Sequence, residues 1–453
     1  MKVRLAGFNI ENVANATQSV CSPEVLTAAY ARVSRSEKTL EELRRQAREN
    51  VEKARKSNVS IVYEMGHASI AEHAFFNIDI EGISRLALEE LEKHRLASYT
   101  EKSQRYVKLD SDWHLPQEWM SHREHLGALH EKAVQLYQDM LAGGIAAEDA
   151  RYYLPLLMTS QVGFSCNART AEHLILRLLA SPLTEVRELG VQLHQVLVDV
   201  VPSLIRYVDP SDWCRREEGL HFFPSLTANQ EPNNVPRTDN VFVQNVGVGT
   251  LDLCSSPDDW DAWVLATQAL RKGASFALQL QEIRQWSPKQ REAAFLEMMQ
   301  GMSVHDPAPR AWEHVHITWE LVISSAAYAQ LKRHRLCDLV VSMYDPQLGF
   351  THPSSVIDNW AHRARALVQL SETTAQRING PARAYALLSG HRRRVLWTAN
   401  LREILHFSRL REDAHAQWDI RAFARAVSHT VQQHAPLCGR FLGGKDAMVG
   451  RLL

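Results

Sequence analysis

Between Glu90 and Tyr106 the chain reads ELEKHRLASYTEKSQRY, crowding Lys93, His94, Arg95, Glu101, Ser103 and Arg105 into one short stretch. Such a density of guanidinium, hydroxyl and carboxylate groups suits an anionic, hydrogen-bonding ligand such as a nucleotide. A solvated, charged helix end would look the same when taken alone. The element that leads into the stretch is a helix: Ile83, Leu86, Ala87, Glu90, Leu91 and His94 keep a three-to-four spacing with apolar residues on one stripe. Tyr99 to Tyr106 alternates poorly and reads as a loop leading to a strand.

The chain of 453 residues is long enough for two or three domains with substantial cores. Its hydrophobic content of 45% and charged content of 23% are ordinary for a globular protein. A formal net charge of −1 gives no global field to recruit nucleic acid or an acidic membrane, so local arginines must bind any anion. The 6 cysteines are scattered singly, without zinc spacing, and a disulfide framework is not expected at this size. His122, His125 and His130 follow no metal-ligand pattern, so no metal is expected. Neither a signal peptide nor an apolar run long enough to span a membrane is present, and the expected compartment is the cytoplasm.

Residues 2–9 and 74–80 read as strands. Residues 23–32, 36–57, 118–142, 167–180 and 184–206 read as helices, with Ser36 as an N-cap. The stretch GLHFFPSLTANQEPNNVPRTDN has the Pro and Asn content of a linker, and a strand-like run over 240–251 follows it. Pieces of the first half then recur. Glu72-His73 and Glu90 to Arg95 are matched by Glu313-His314 and Gln330 to Arg335. CNARTAEHLILRLL (166–179) is matched by ANLREILHFSRLR (399–411), each with an Asn two residues before an Arg and a His four residues after that Arg. Matching landmarks in the same order indicate a duplication, with domains at 1–215 and 240–453 and a linker at 216–239.

Lys93-His94-Arg95, seven further residues and then Ser103 resemble the R-H-R-x7-S signature of the flavin-dependent thymidylate synthases, with Lys93 where that family usually has Arg. GHASIAEH (66–73), IEGISR (80–85) and Ser103-Gln104-Arg105-Tyr106 are similar to the flanks of that signature. Near the C-terminus, Arg411 precedes HAQWDI, which resembles the family's last motif. Members of the family are homotetramers whose sites lie between subunits. The resemblance therefore implies that two duplicated halves supply complementary parts of one site. The second half keeps Gln330, Arg333, His334, Arg335 and Arg411, but has Val341, Met343 and Asp345 where Glu, Ser and Arg belong. The first half keeps Glu101, Ser103, Arg105 and Arg151, but has Leu178 in place of the late Arg. The surviving pieces add up to one full complement, and the reciprocal set is expected to be dead.

What the resemblance implies is reductive methylation of dUMP to dTMP at C5, with methylenetetrahydrofolate as carbon donor, FAD as cofactor and NADPH as its reductant. Arg411 would polarise the uracil and stabilise its developing negative charge. Arg105, Arg151 and Ser103 would hold the nucleotide phosphate. Glu101, Gln330 and Arg333 would also touch substrate. His67, Ser69, His94, Arg95, Arg333, His334 and Arg335 would line the cofactor, as would Asn167 and Arg169 or Asn400 and Arg402. Without the resemblance, Arg169 and Arg402 read as ordinary interhelical ion pairs. The implied fold is α+β: two tandem domains, each a mixed sheet with long helices, forming an internal pseudo-dimer. A homodimer of chains would rebuild the family's tetramer as a pseudo-tetramer. Two other readings stay open: a related C5-methylase acting on UMP, and a flavin- or nucleotide-binding protein without turnover.

Overall fold

The computed structural model describes residues 1–12, 22–105, 112–115, 117–218, 242–245, 249–303, 306–356 and 360–445. Tyr106 and most of the expected linker lie outside the described residues. The described chain divides into two compact units, each built on one sheet. In the first, β1 (Lys2–Phe8), β2 (Phe75–Ser84), β3 (Ser98–Glu101) and β4 (Thr159–Asn167) lie in the order β1-β2-β4-β3. In the second, β5 (Phe242–Asn245), β6 (Thr250–Ser255), β7 (His316–Ser324), β8 (Cys337–Val341) and β9 (Arg392–Asn400) lie in the order β5-β6-β7-β9-β8. The α+β class is as the sequence implies. The sheets are not mixed, however: every ladder is antiparallel. β2 and β3 do run the same way, but β4 inserts between them and pairs antiparallel with both. The alternation of buried and exposed residues along β2 fits a sheet covered on one face only, which antiparallel pairing permits.

The duplication is visible in the register. β2 starts at Phe75↔Asn167 and ends at Ser84↔Thr159, while β7 starts at His316↔Asn400 and ends at Ser324↔Arg392. β2 is one residue longer because Gly82, at φ +69°, sits in a bulge that β7 lacks. Both strands run into a helix through the same cap. The Ser84 hydroxyl accepts from the Ala87 N–H at 3.0 Å, and that of Ser324 from the Ala327 N–H at 3.0 Å. Asn167 and Asn400 likewise cap Ala168–Ala180 and Leu401–Arg411, accepting from Thr170 at 2.8 Å and Glu403 at 2.9 Å.

Several boundaries differ from those read in the sequence. The helix assigned to 36–57 starts after Thr39, not Ser36, because Thr39 and Glu42 form a reciprocal capping box. It then breaks at Asn50, which caps a separate helix, Val51–Val59. The helix assigned to 184–206 ends at Val198. The helix leading into the charged stretch is short, Arg85–Leu91, so His94 and Arg95 lie beyond its end and residues 98–101 form β3. The central strands β4 and β9 escaped the sequence reading: Gly163 interrupts the first and three arginines open the second.

The units also depart from linear order. The first comprises Met1–Asn229 with His362–Leu387, and the second Gln230–Ala361 with Leu388–Leu453. A segment of the second repeat therefore belongs to the first unit, which interrupts the domain expected at 240–453. Its anchor is a buried carboxylate. Glu185 accepts from the Ser84 N–H at 2.7 Å, the Ser84 hydroxyl at 2.5 Å and the Tyr385 hydroxyl at 2.7 Å. A carboxylate out of water needs such donors, and Tyr385 supplies one of them from the exchanged segment. Leu156 adds a backbone bond to Leu387 at 2.8 Å, and Arg363 pairs with Asp139. The core of the second unit centres on the stacked rings of Trp319 and Trp397, with centroids 5.0 Å apart.

Candidate functional site

In the second unit, a turn after the Ser325–Leu331 helix places Arg333, His334 and Arg335 beside the helix Leu401–Arg411. Together they line a cavity of about 560 Å³. Arg402 and Arg409 add to its positive charge, Asn400 lies at its edge, and Glu313 and Glu403 are its carboxylates. That volume lies in the range of sites for nucleotide-sized molecules, and guanidinium forks are the donor set that matches a diphosphate. A diphosphate such as that of FAD would find donors among the residues present, in Arg333, Arg335 and Arg402. Arg402 is ion-paired with Glu313, as Arg169 is with Glu72 at 2.6 Å in the first unit. The interhelical ion-pair reading of both arginines is thus correct as geometry, and it fixes the Arg402 guanidinium at the cavity wall.

His334 is a buried residue lining this cavity, and it contacts two groups of the Leu401–Arg411 helix that lie 69 and 77 residues away in sequence. Its Nδ1 lies 3.0 Å from Glu403 Oε1, and the Arg411 Nε–H donates to its Nε2 at 3.0 Å. A guanidinium can only donate, so Nε2 must be the unprotonated nitrogen. The ring proton is then on Nδ1, donated to the Glu403 carboxylate. Burial, together with the charge of Arg411 and the nearby His406, holds the His334 pKa well below its usual value, so the ring is neutral and its contact with Glu403 is a hydrogen bond rather than an ion pair. Burial raises the Glu403 pKa. Arg411 is fixed a second time by donating Nη2–H to the Gln330 carbonyl at 3.2 Å. The Gln330 amide is itself directed by the buried Gln417, which it meets at 2.6 Å. Gln330, His334 and Arg411 therefore assemble within this unit, and Arg333 and Arg335 lie exposed beside them.

In the first unit the charged stretch forms a second cluster. Arg105 Nε–H donates to Glu148 at 2.9 Å, and Arg151 Nε–H donates to the Glu148 carbonyl at 3.3 Å, so one residue gathers both arginines. The Ser103 hydroxyl accepts from the Arg105 backbone at 3.2 Å and marks the tight turn that follows β3. Glu101 forms an ion pair with the buried Arg85. Arg151 is also buried, and its pKa is lowered by desolvation and by the neighbouring charges of Arg85 and Arg105. A concentration of positive charge this poorly hydrated favours an anion. His67 and Ser69 are exposed at a short 3-10 turn, and His67 accepts a backbone bond from Ile70 at 3.1 Å. His94 is pushed down to about 4 by burial, then by Arg177, Lys93 and His173, and is neutral. Arg95 is exposed.

The region of the second unit that matches this cluster is built differently. Where the first unit has Arg85, the second has Ser325, whose hydroxyl bonds the Tyr344 hydroxyl at 2.6 Å. Arg393 lies over the rings of Tyr328 and Tyr344, 4.9 and 4.2 Å from their centroids, and donates to the Ser342 carbonyl at 2.6 Å. Asp345 caps a 3-10 turn by accepting from the Gln347 N–H at 3.0 Å. The local cation is already stacked and bonded by its own unit, and the described residues there form no pair like Arg105 and Arg151.

Sequence reading missed Arg85, Glu148, Glu403 and Gln417. Arg85 stands in the IEGISR lead-in and could have been found there. Glu403, three residues after the cap Asn400, has the spacing of an ordinary helix-capping partner, and only the fold shows it meeting His334. His130, one of the three histidines without metal-ligand spacing, is buried and stacks on Trp113 with ring centroids 5.5 Å apart.

Comparison with known proteins finds one family twice along the chain. The family model for the thymidylate synthase complementing protein matches residues 17–203 and again 261–437. A flavin-dependent thymidylate synthase from Geobacter sulfurreducens is 33% identical over 204 residues, covering 43% of this chain and 85% of that protein. One from Clostridium tetani is 31% identical over 211 residues, covering 42% of this chain and 84% of the relative. One from Pyrococcus abyssi is 36% identical over 148 residues, 30% of this chain and 59% of the relative. Among solved structures, a thymidylate synthase X from Helicobacter pylori with FAD and dUMP matches at a TM-score of 0.34 and 20% identity, covering 48% of this chain and all (100%) of that one. A UMP/dUMP methylase from Streptomyces cacaoi bound with 5-Br dUMP matches at 0.37 and 19% identity, covering 45% of this chain and 92% of that one. With both repeats matched by one family model, the chain belongs to the thymidylate synthase complementing protein family.

Proposed function

We propose that this protein is a flavin-dependent thymidylate synthase, methylating dUMP at C5 with methylenetetrahydrofolate as carbon donor, and that each chain carries one full complement of site residues. The observation that carries the reading is the fixed Arg411 guanidinium of the second unit, held by His334 and the Gln330 carbonyl, in a chain whose relatives carry that activity in their names.

Arg411 supplies a permanent positive charge and oriented donors to the uracil carbonyl and N3, where negative charge develops as C5 becomes nucleophilic. Because the guanidinium is held before substrate arrives, little reorganisation is needed at the reacting moment. Arg105 and Arg151 bind the nucleotide phosphate, with Ser103 as a hydroxyl donor. Arg333, Arg335 and Arg402 would hold the FAD diphosphate, and reduced FAD would supply the hydride. Asn167 and Arg169, the matching pair in the first unit, serve the reciprocal set, which lacks a late Arg. Two chains would associate into a homodimer in which four repeats restore a tetramer-like arrangement. Among the described residues no helix is long and apolar enough to cross a membrane.

The test is release of tritium from [5-³H]dUMP by the purified full chain with methylenetetrahydrofolate and NADPH, run beside [5-³H]UMP. Release from dUMP at a kcat/KM at least tenfold above that for UMP is expected. Preference for UMP would identify a nucleotide methylase of different substrate, and bound FAD without release from either would identify a binding protein.

A further inference from the structure

Glu403 touches the ring of His334 on the side opposite Arg411, and the three side chains form a buried series, Glu403–His334–Arg411, extended to the Gln330 carbonyl. We infer that Glu403 is a positioning residue for the reaction: by accepting the Nδ1 proton of His334 it keeps Nε2 free to accept from Arg411, and so aims the guanidinium at the pyrimidine. This rests on the functional reading above.

Imidazole has two neutral tautomers, and only one is compatible with the Arg411 contact. With Nδ1–H, the ring donates to Glu403 and accepts from Arg411. With Nε2–H, two donors would face each other at 3.0 Å and Arg411 would be displaced. The carboxylate selects the first form. The ring cannot relieve the conflict by rotating, because His334 is only 3% exposed and packs edge-on against Phe407, with centroids 5.0 Å apart. Titratable and charged groups face it from each neighbouring element: Glu403, His406 and Arg411 from the Leu401–Arg411 helix, and Arg333 and Arg335 from its own turn. None of them other than Glu403 can accept the Nδ1 proton at the observed geometry. Its own backbone N–H meets the Asn400 cap, so the carboxylate is not spent on capping the helix.

The first unit supplies an internal comparison. There the residues matching Glu403 and Arg411 are Thr170 and Leu178. The guanidinium near His94 is that of Arg177, one position earlier and ion-paired with Glu217. The two positions that hold the carboxylate and the guanidinium in one repeat thus both carry uncharged residues in the other.

The test uses the full-length holoenzyme with Glu403→Ala, Glu403→Gln and, as a control, Thr170→Ala. Glu403→Ala should lower kcat for tritium release from [5-³H]dUMP by about 10- to 100-fold, the usual effect of removing a carboxylate behind a working histidine. Its KM for dUMP and its rate of nucleotide-free flavin reduction by NADPH should stay near those of the parent. Glu403→Gln can still accept through its amide oxygen and should recover most of the lost kcat, and Thr170→Ala should match the parent. Histidine ¹⁵N spectra, with the His334 signal identified by its loss in His334→Gln, should show Nδ1–H in the parent and in Glu403→Gln, but not in Glu403→Ala. Parental kcat in Glu403→Ala, equal damage in Glu403→Ala and Glu403→Gln, or a parallel fall in flavin reduction would each overturn the inference. If the parent itself releases no tritium from dUMP, the functional reading fails. The ¹⁵N spectrum then decides the tautomer alone, Nδ1–H supporting the inference and Nε2–H contradicting it.

Discussion

Replacing Arg411 with alanine is expected to lower kcat for tritium release from dUMP by about 100- to 1000-fold, the range measured when one preorganised donor is removed from a developing anion. Two features of its setting support so large an effect. Its Nε and Nη2 donors are already held by His334 and the Gln330 carbonyl, so the group is fixed before substrate binds. It also sits beside a ring that burial keeps neutral, so no second cation in contact with it can take over its charge. Arg411→Lys should recover little, since an ammonium cannot make the paired contacts of the fork. Flavin content, read from visible absorbance, should stay close to one per chain in both variants, which separates lost chemistry from lost folding. A kcat within threefold of the parent for Arg411→Ala would remove Arg411 from the reaction.

The second large effect concerns the asymmetry between the repeats. Arg105→Ala should raise KM for dUMP by about 10- to 100-fold, matching the roughly 1.5–3 kcal/mol of a hydrogen bond to a charged group. The matching change in the other repeat, Asp345→Ala, should leave both kcat and KM within twofold of the parent. Asp345 caps a local turn, and losing such a cap costs about 1 kcal/mol of stability without touching a ligand. The contrast is physical. Arg105 shares Glu148 with the buried Arg151, so its guanidinium belongs to a cluster of closely spaced arginines. At the matching place in the second unit, the cation is Arg393, already stacked on Tyr328 and Tyr344. Steady-state kinetics on both variants checks the pair. Equal damage from the two would mean that the live and dead sets have been exchanged.

The candidate site residues could be picked out in the sequence because duplication supplied an internal comparison. His334 is identified by His94, Arg402 by Arg169, and the loss of Arg411's counterpart by Leu178. The caps Ser84, Ser324, Asn167 and Asn400 sit where local hydrogen-bonding rules place them. Sheet direction was less legible. β4 and β9 carry glycine or arginine where a strand pattern expects branched apolar residues, and their pairing on both sides is set by tertiary contacts. Nor could the sequence show that 362–387 joins the first unit, since that depends on a buried Glu185 seeking the Tyr385 hydroxyl 200 residues away. The Glu403–His334 contact, 69 residues apart, was hidden for the same reason. Periodicity reports which face of an element is buried, not which polar partner waits there.

The most direct measurement of the central claim, one working nucleotide site per duplicated chain, is a calorimetric titration of the purified FAD-bound protein with dUMP. The expected stoichiometry is one dUMP per chain, falling to a weakened single event in Arg105→Ala. Two equivalent dUMP per chain, or one per chain with affinity unchanged in Arg105→Ala, would contradict it.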